Sequence, residues 1–107
     1  MAKISVILVV KDEPSIESTL ALLLNQIKGK DIECIVVDAS KNRLKNISSR
    51  YQDVIWLNFR SRNPQKKISI AEQRNAGVRA SKGDVIVFCD AGGTPEPGWL
   101  DAITTPL

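Results

Sequence analysis

Residues 83–93 read Gly-Asp-Val-Ile-Val-Phe-Cys-Asp-Ala-Gly-Gly, the most informative stretch of the chain. A continuous apolar run ends in one acidic residue, Asp90, and a glycine-rich turn follows it. Such a run is typical of a strand that is buried on both faces of a parallel sheet. Open α/β folds bind ligands outside the carboxyl ends of their strands. Asp90 is therefore the first candidate for a functional residue.

The rest of the chain predicts strands that alternate with helices. The predicted strands are 4–10, 34–38, 54–58 and 85–90. Four helices are predicted. The first begins after residues 13–15 and ends at Gly29, and the second is short and covers 42–50. The third begins at a capping box formed by Ser69 and Glu72 and ends at about Ala80, and the fourth covers 99–105. This alternation predicts a three-layer α/β/α domain with a mostly parallel, Rossmann-like sheet and right-handed crossovers.

Composition limits the chemistry that the chain can perform. Its 107 residues form one domain. The chain contains no histidine, which excludes zinc chemistry of the usual kind and catalysis by Ser-His-Asp or Cys-His groups. Cys34 and Cys89 lie in apolar runs, so we expect both thiols to be buried and free.

Apolar runs are short, and no membrane span is expected because none approaches the roughly 18 residues required. The first residues do not resemble a signal peptide, which predicts a cytoplasmic location, or the cytoplasmic face of the membrane for a full-length protein. Charge is unevenly distributed: residues 41–82 carry eleven basic and two acidic side chains, a net +9, and the remainder carries −6. This basic segment is either a site for an anionic partner or a solvated face.

In a parallel sheet, the carboxyl ends of the strands meet at one edge. That edge would collect Lys11, Asp12 and Glu13 after the first strand, Asp38 and Ser40 after the second, and Asp90 after the fourth. Carboxylates there can accept hydrogen bonds from ribose or a base, or bind a hard cation. No dinucleotide or P-loop glycine motif is present, so a bound phosphate would need cations, amides of the glycine turn, or metal.

Five segments, taken in order, resemble a known family. They are residues 4–10, 18–26 ("L…L…Q"), 35–40 ("VVDD-S"), 71–84 ("A-x-x-R-N-x-G…A-x-G-(D/E)") and 88–100 ("F-L-D-A-D" and its tail). Together they resemble the N-terminal, nucleotide-sugar-binding half of family 2 glycosyltransferases, which have the GT-A fold. The resemblance covers nearly the whole chain and implies the strand order 3-2-1-4.

The resemblance also implies a function. Residues 1–107 would be the donor domain of a longer glycosyltransferase, which transfers a sugar from a nucleotide diphosphate to an acceptor hydroxyl. The acceptor half and the catalytic base would lie outside this chain, so no catalytic residue is assigned and the fragment alone is expected to be inactive. The implied nucleotide-sugar-binding residues are Val9, Lys11, Asp12, Asp38, Ser40, Arg74, Asp90 and Gly92.

Individual roles follow from the matched positions. Asp38 would contact the nucleobase, Asp90 the ribose or the metal shell, and Arg74 the nucleotide or its loop. The family's second motif acid is Gly92 here, so a Mn²⁺ or Mg²⁺ cofactor at Asp90 is expected to be weakened. Ala39 likewise stands where a second acid is usual.

Two other functions are weighed against this one. A non-catalytic nucleotide-binding, RNA-binding or assembly module would explain the basic segment, but RNA binding usually adds exposed aromatic residues, so no nucleic acid partner is expected. A nucleotidyltransferase is disfavoured because no glycine-rich, lysine-bearing loop follows the first strand. A homo-oligomer is expected through the apolar face that a missing half would cover.

Overall fold

A computed structural model of the chain describes residues 3–60 and 67–105. Strands and helices alternate through this part, as the sequence predicts. The strands are β1 (Ile4–Val10), β2 (Ile32–Asp38), β3 (Ile55–Asn58) and β4 (Val85–Asp90), and the helices are α1 (Ile16–Ile27), α2 (Lys45–Ser48), α3 (Ile70–Ala80) and α4 (Trp99–Thr104).

All pairs of neighbouring strands are parallel, and the sheet has the order β3-β2-β1-β4. This order confirms the one implied by the resemblance. Register brings the strand ends together: Val10 pairs with Asp38, and Val9 pairs with Asp90. The carboxyl ends of β1, β2 and β4 therefore form one continuous edge.

Helices cover both faces of the sheet. Because side chains alternate along a strand, Val6, Leu8 and Val10 of β1 face one side, where they form the larger core cluster with side chains of α1, α2 and α4. Ile7 faces the other side with Ile35 and Val37, where α3 packs. The predicted three-layer α/β/α architecture is confirmed.

Several element boundaries differ from the prediction. β2 begins two residues earlier because Ile32 already pairs with Ile4 of β1. The predicted helix 42–50 is reduced to the four residues of α2. It starts late because Asn42 has a positive φ of 66°, which an α-helix does not accept, and Leu44 has a ψ of 20°, outside the helical range. β3 begins at Ile55 and α4 ends at Thr104, each one residue inside its predicted bound. Residues 61–66 of the predicted basic loop lie outside the described part.

The boundaries of the two long helices carry the residues that the sequence predicts there. At α3, the Ser69 hydroxyl accepts a hydrogen bond from the Glu72 N–H at 3.1 Å, which confirms the capping box. At α1, Pro14 lies in the turn before the helix, and Gly29 follows the helix with a φ of +76° that favours glycine.

Both cysteine thiols are free as expected, but only Cys34 is buried, and Cys89 is half-buried because its strand lies at the edge of the sheet. Cys34 lies on β2 and Cys89 on β4, the two strands that flank β1. Burial raises the pKa of Cys34 to about 12 and that of Cys89 to about 11. Both thiols are therefore protonated and unreactive near neutral pH.

β4 lies at the edge of the sheet, and its apolar surface is incompletely covered. Phe88 is 44% exposed, and Ile70 and Val78 of the neighbouring helix α3 are also exposed. An apolar surface is thus available for the expected oligomer, whose existence stays a prediction. Among the helices of residues 3–60 and 67–105, none has both the length and the apolar character that a membrane span requires.

Gly77 sets the distance between α3 and the sheet, and its substitution tests the packing. An added Cβ would lie 2.7 Å from Ile7 Cγ2 and 3.1 Å from Val37 Cγ2. Alanine in place of glycine favours a helix by about 1 kcal/mol, but overpacking costs about 1–3 kcal/mol. We therefore expect Gly77→Ala to lower the free energy of unfolding by roughly 1 kcal/mol in urea denaturation.

The matched control is Asn75→Ala, at an exposed position of the same helix. It gains helix propensity without a clash, so its stability should equal or exceed that of the wild type. Equal behaviour of the two variants would contradict the close packing of α3 on Ile7.

Candidate functional site

Backbone hydrogen bonds extend the sheet past its strand ends at the carboxyl edge. The Ala39 N–H donates to the Val10 carbonyl at 2.9 Å, and the Phe59 N–H donates to the Asp38 carbonyl at 2.7 Å. The peptide groups that follow β2 and β3 are thereby held in line with their neighbours. The edge where the predicted site residues lie is consequently a defined surface.

Gln73 supports this edge from the face that α3 covers. Its side chain is buried, and its amide Nε2 donates to the carbonyls of Val10 and Val37, each at 3.1 Å. Sequence reasoning did not assign Gln73 a role. The available signal was its position four residues before Gly77, which places both residues on the inward face of α3.

Asp38 is only 2% exposed. One carboxylate oxygen accepts a hydrogen bond from the Ser40 N–H at 2.7 Å, and the other accepts one from the Trp56 indole N–H at 2.9 Å. The Ser40 hydroxyl in turn accepts a hydrogen bond from the Asp12 N–H at 2.7 Å. Asp38 therefore positions Ser40 and Trp56, and its expected contact with a nucleobase stays a prediction.

The loop after β1 presents charged groups at the same edge. Asp12 has a positive φ of 56° and pairs with Arg43, with Nε–Oδ1 and Nη2–Oδ2 distances of 2.5 and 2.7 Å. The hydrogen bond from the Arg43 guanidinium lowers the pKa of the Asp12 carboxyl and raises that of Arg43. Lys11 beside Asp12 is exposed. Sequence reasoning did not identify Arg43, because its partner lies far away along the chain.

Asp90 ends β4 with an exposed side chain. A turn follows directly, closed by a hydrogen bond of 3.0 Å from the Gly93 N–H to the Asp90 carbonyl. Asp38 lies on the other side of β1, two strand spacings from Asp90, or about 10 Å between backbones. The two acids therefore flank the end of β1 without touching each other.

Arg74 lies on the exposed side of α3. Its guanidinium carbon is 5.1 Å from the centre of the Phe88 ring, a distance typical of a cation–π contact. Phe88 is two residues before Asp90 on β4, so both side chains point to the same side of the sheet. The predicted residues accordingly form two groups, one on each side of β1. The first group contains Lys11, Asp12, Asp38 and Ser40. The second contains Arg74, Asp90 and Gly92, and Val9 is in register with Asp90.

A metal ion finds few ligands at this edge. In the part of the chain that the structure describes, no group of three His, Cys, Asp or Glu side chains is arranged to bind one. Asp90 offers one exposed carboxylate, and Gly92 offers no side chain. The residues present do not fit a metal held by the protein alone.

Comparison with known proteins places this architecture in a family. The family model described as "Glycosyl transferase family 2" matches residues 5–107. The chain belongs to this family. The match includes every residue of the candidate site.

Solved structures share the fold of this family 2 glycosyltransferase chain. The mannosyltransferase PcManGT from Pyrobaculum calidifontis, in complex with GDP-Man and Mn²⁺, has a TM-score of 0.63 at 22% identity, over 85% of this chain and 28% of its own. S. aureus TarS 1-349, in complex with UDP-GlcNAc, has a TM-score of 0.63 at 20% identity, over 96% of this chain and 30% of its own. The chain thus spans less than a third of either relative. No curated protein sequence matches it.

Asp38→Asn tests whether this carboxylate organises the edge. Asparagine has one acceptor oxygen, so the N–H of either Ser40 or Trp56 would face an amide donor. Leaving a buried donor unpaired costs about 1–3 kcal/mol. We expect urea denaturation to reveal a loss of this size, whereas Asp53→Asn at an exposed turn should leave stability unchanged. Equal stability of the two variants would contradict a bridging role for Asp38.

Proposed function

We propose that this chain binds the nucleotide diphosphate of a sugar donor at the carboxyl edge of its sheet. The observation that carries the proposal is the register of β1, β2 and β4, which gathers Lys11, Asp12, Ser40 and Asp90 around the end of β1. Membership of glycosyltransferase family 2 supports the same function. The chain would then be the donor half of a longer glycosyltransferase.

Each group at the edge suits one part of such a donor. The exposed Asp90 carboxylate can accept hydrogen bonds from ribose hydroxyls, and the neighbouring Val9 offers an apolar surface beside it. Lys11, directly after β1, and Arg74, on α3, are exposed cations, and cations attract the diphosphate. On the other side of β1, Trp56 is half-buried, whereas Ser40 is fully buried and supports the edge through the hydrogen bond that its hydroxyl accepts from the Asp12 N–H.

Transfer of the sugar requires further groups. A base must take the proton of the acceptor hydroxyl as that oxygen attacks the anomeric carbon. We assign no such residue in this chain, so the proposal is that these residues bind and orient the donor. Because the residues present do not fit a protein-held metal, no step of the proposal depends on one.

RNA binding, the alternative considered for the basic segment, has less support. Tyr51 and Trp56 pack against the larger core cluster, and Phe59 packs against the smaller one. Base stacking requires exposed aromatic faces, and the exposed Phe88 ring already has the Arg74 guanidinium carbon 5.1 Å from its centre. The basic side chains alone are thus better interpreted as a solvated face or as attraction for the donor's phosphates.

Calorimetric titration with UDP, GDP and their sugar conjugates, with and without Mn²⁺, tests the proposal. The two nucleotides are chosen because the similar structures contain GDP-Man and UDP-GlcNAc. We expect one nucleotide to bind, and Asp90→Asn to weaken binding about tenfold through the loss of charge-assisted hydrogen bonds.

Asp84→Asn is the matched control, because Asp84 is an exposed acid immediately before β4, at the opposite edge of the sheet. It should bind the nucleotide as the wild type does. If the folded wild-type chain binds neither nucleotide, or if both variants lose affinity equally, the proposed site is wrong.

Gly92→Asp tests the weakened metal site by restoring a second acid. An ideal Cβ at Gly92 meets only the Ser15 Oγ, at 3.3 Å, and the φ of Gly92 is not positive, so aspartate fits. Metal affinity rises with the number of charged ligands. We expect Gly92→Asp to tighten Mn²⁺ binding in the nucleotide complex by about tenfold or more. Asn25→Asp adds the same charge on an exposed part of α1 and should not change Mn²⁺ affinity. Equal effects of the two substitutions would contradict direct ligation of the metal at position 92.

A further inference from the structure

One stripe of α1 runs alongside the segment that follows Asp90. Thr19 and Gln26 are spaced by seven residues, which places them on one side of the helix, and Lys30 lies in the turn that follows it. Thr19 contacts the glycine turn, Gln26 contacts Glu96 and the first turn of α4, and Lys30 contacts the Asp101 carboxylate at 2.7 Å. The segment after β4 therefore lies along α1 and is attached at three points.

Thr19 makes the attachment nearest to the candidate site. Its hydroxyl oxygen lies 2.7 Å from the Ala91 carbonyl and 2.5 Å from the Gly93 carbonyl. The carbonyl of Ser15, the usual partner of a threonine within a helix, is farther away at 3.4 Å. The single hydroxyl proton is thus directed to the turn, where two carbonyls share it.

Burial makes this hydrogen bond important. Thr19 is 0% exposed and Ala91 is also buried, so water does not replace the hydroxyl. A buried carbonyl that loses its donor carries a desolvation penalty. The turn must therefore keep the conformation that brings both carbonyls to Thr19.

Gln26 secures the next part of the segment. Its Nε2 donates to the carbonyls of Pro95 and Glu96 at 3.0 and 2.8 Å, and its Oε1 accepts from the Leu100 N–H at 2.8 Å. The side-chain amide is thus bonded at both ends. It links the Pro-rich stretch to the first turn of α4.

The turn needs such support because of its composition and its place. Gly92 and Gly93 give the backbone more conformational freedom than other residues would. β4 is paired on one side only, with β1. A trans peptide points its carbonyl and the following N–H in opposite directions, so the hydrogen bond that the Ala91 carbonyl accepts from the Thr19 hydroxyl turns the Gly92 N–H away from α1. Thr19 thereby orients the backbone beside the Asp90 carboxylate.

We propose that Thr19 is a positioning residue of the donor site. Its hydroxyl holds the turn after Asp90 in the one conformation that presents Asp90 and the Gly92 amide to the donor, and Gln26 keeps the following segment in place. This inference rests on the proposed function. It implies that nucleotide affinity depends on a buried hydroxyl that does not touch the nucleotide.

Three variants separate positioning from stability. Thr19→Val keeps the shape of the side chain and removes the hydroxyl, whereas Thr19→Ser keeps the hydroxyl. The matched control is Thr104→Val, because Thr104 donates to the Leu100 carbonyl at the same distance of 2.7 Å, away from the turn. Two readouts are used for each variant: hydrogen exchange of the Gly93 amide in the free chain, and calorimetric affinity for UDP and GDP with Mn²⁺.

In Thr19→Val we expect the Gly93 amide to exchange about tenfold faster and the nucleotide to bind about tenfold more weakly, as befits one lost buried hydrogen bond. Thr19→Ser should restore both values, and Thr104→Val should leave both unchanged. Wild-type affinity in Thr19→Val, absence of rescue by serine, or an equal loss in Thr104→Val would overturn the positioning role while leaving the donor site standing.

A further possible outcome is that the folded wild-type chain binds neither nucleotide. That outcome would overturn the proposed function, and the positioning role with it. The Gly93 exchange rates would still decide whether Thr19 holds the turn, so the two failures are distinguishable.

Discussion

The central position of β1 is the constraint on which the rest of the structure depends. β1 is hydrogen-bonded to β2 on one side and to β4 on the other, and helices cover both of its faces. A strand with no solvent-exposed face must be apolar throughout, as residues 4–10 nearly are. Its register with both neighbours places the ends of three strands at one level. Polar groups that follow these strands consequently meet around the end of β1.

Two helices stabilise this edge from opposite faces of the sheet by the same physical means. Gln73 of α3 donates to carbonyls at the ends of β1 and β2, and Thr19 of α1 donates to carbonyls after β4. Both side chains are buried, and in the described residues every buried side-chain N or O atom has a hydrogen-bond partner. Gln73 gives the Val10 carbonyl a second donor beside the Ala39 N–H, and Thr19 supplies a donor to buried backbone of the turn after β4. The surface available to a ligand is thus supported by groups that the ligand does not reach.

Local patterns in the sequence were sufficient to predict the strands, the two long helices and the α/β class, because apolar runs and the capping box at Ser69 depend on near neighbours. Positions of the exposed site residues followed from the shared edge of a parallel sheet. Contacts of Gln73, Thr19 and Arg43 were not predictable, since each depends on a partner at least 31 residues away. The second helix was predicted too long, because positive φ at Asn42 leaves no clear signal in a polar residue that also suits a helix.

Replacement of the second motif acid by Gly92 changes the electrostatics of the edge as well as its ligand set. Two adjacent carboxylates repel a diphosphate, and a divalent cation is the usual means of neutralising both. With Asp90 as the only acid of the motif, an anionic donor at the proposed site would meet less repulsion, and the exposed cations Lys11 and Arg74 lie near the same edge. Part of the neutralisation that a metal would supply is then unnecessary. In the proposed donor site, the glycine that removes a metal ligand would therefore also lower the need for the metal, so its two effects on donor affinity would oppose each other.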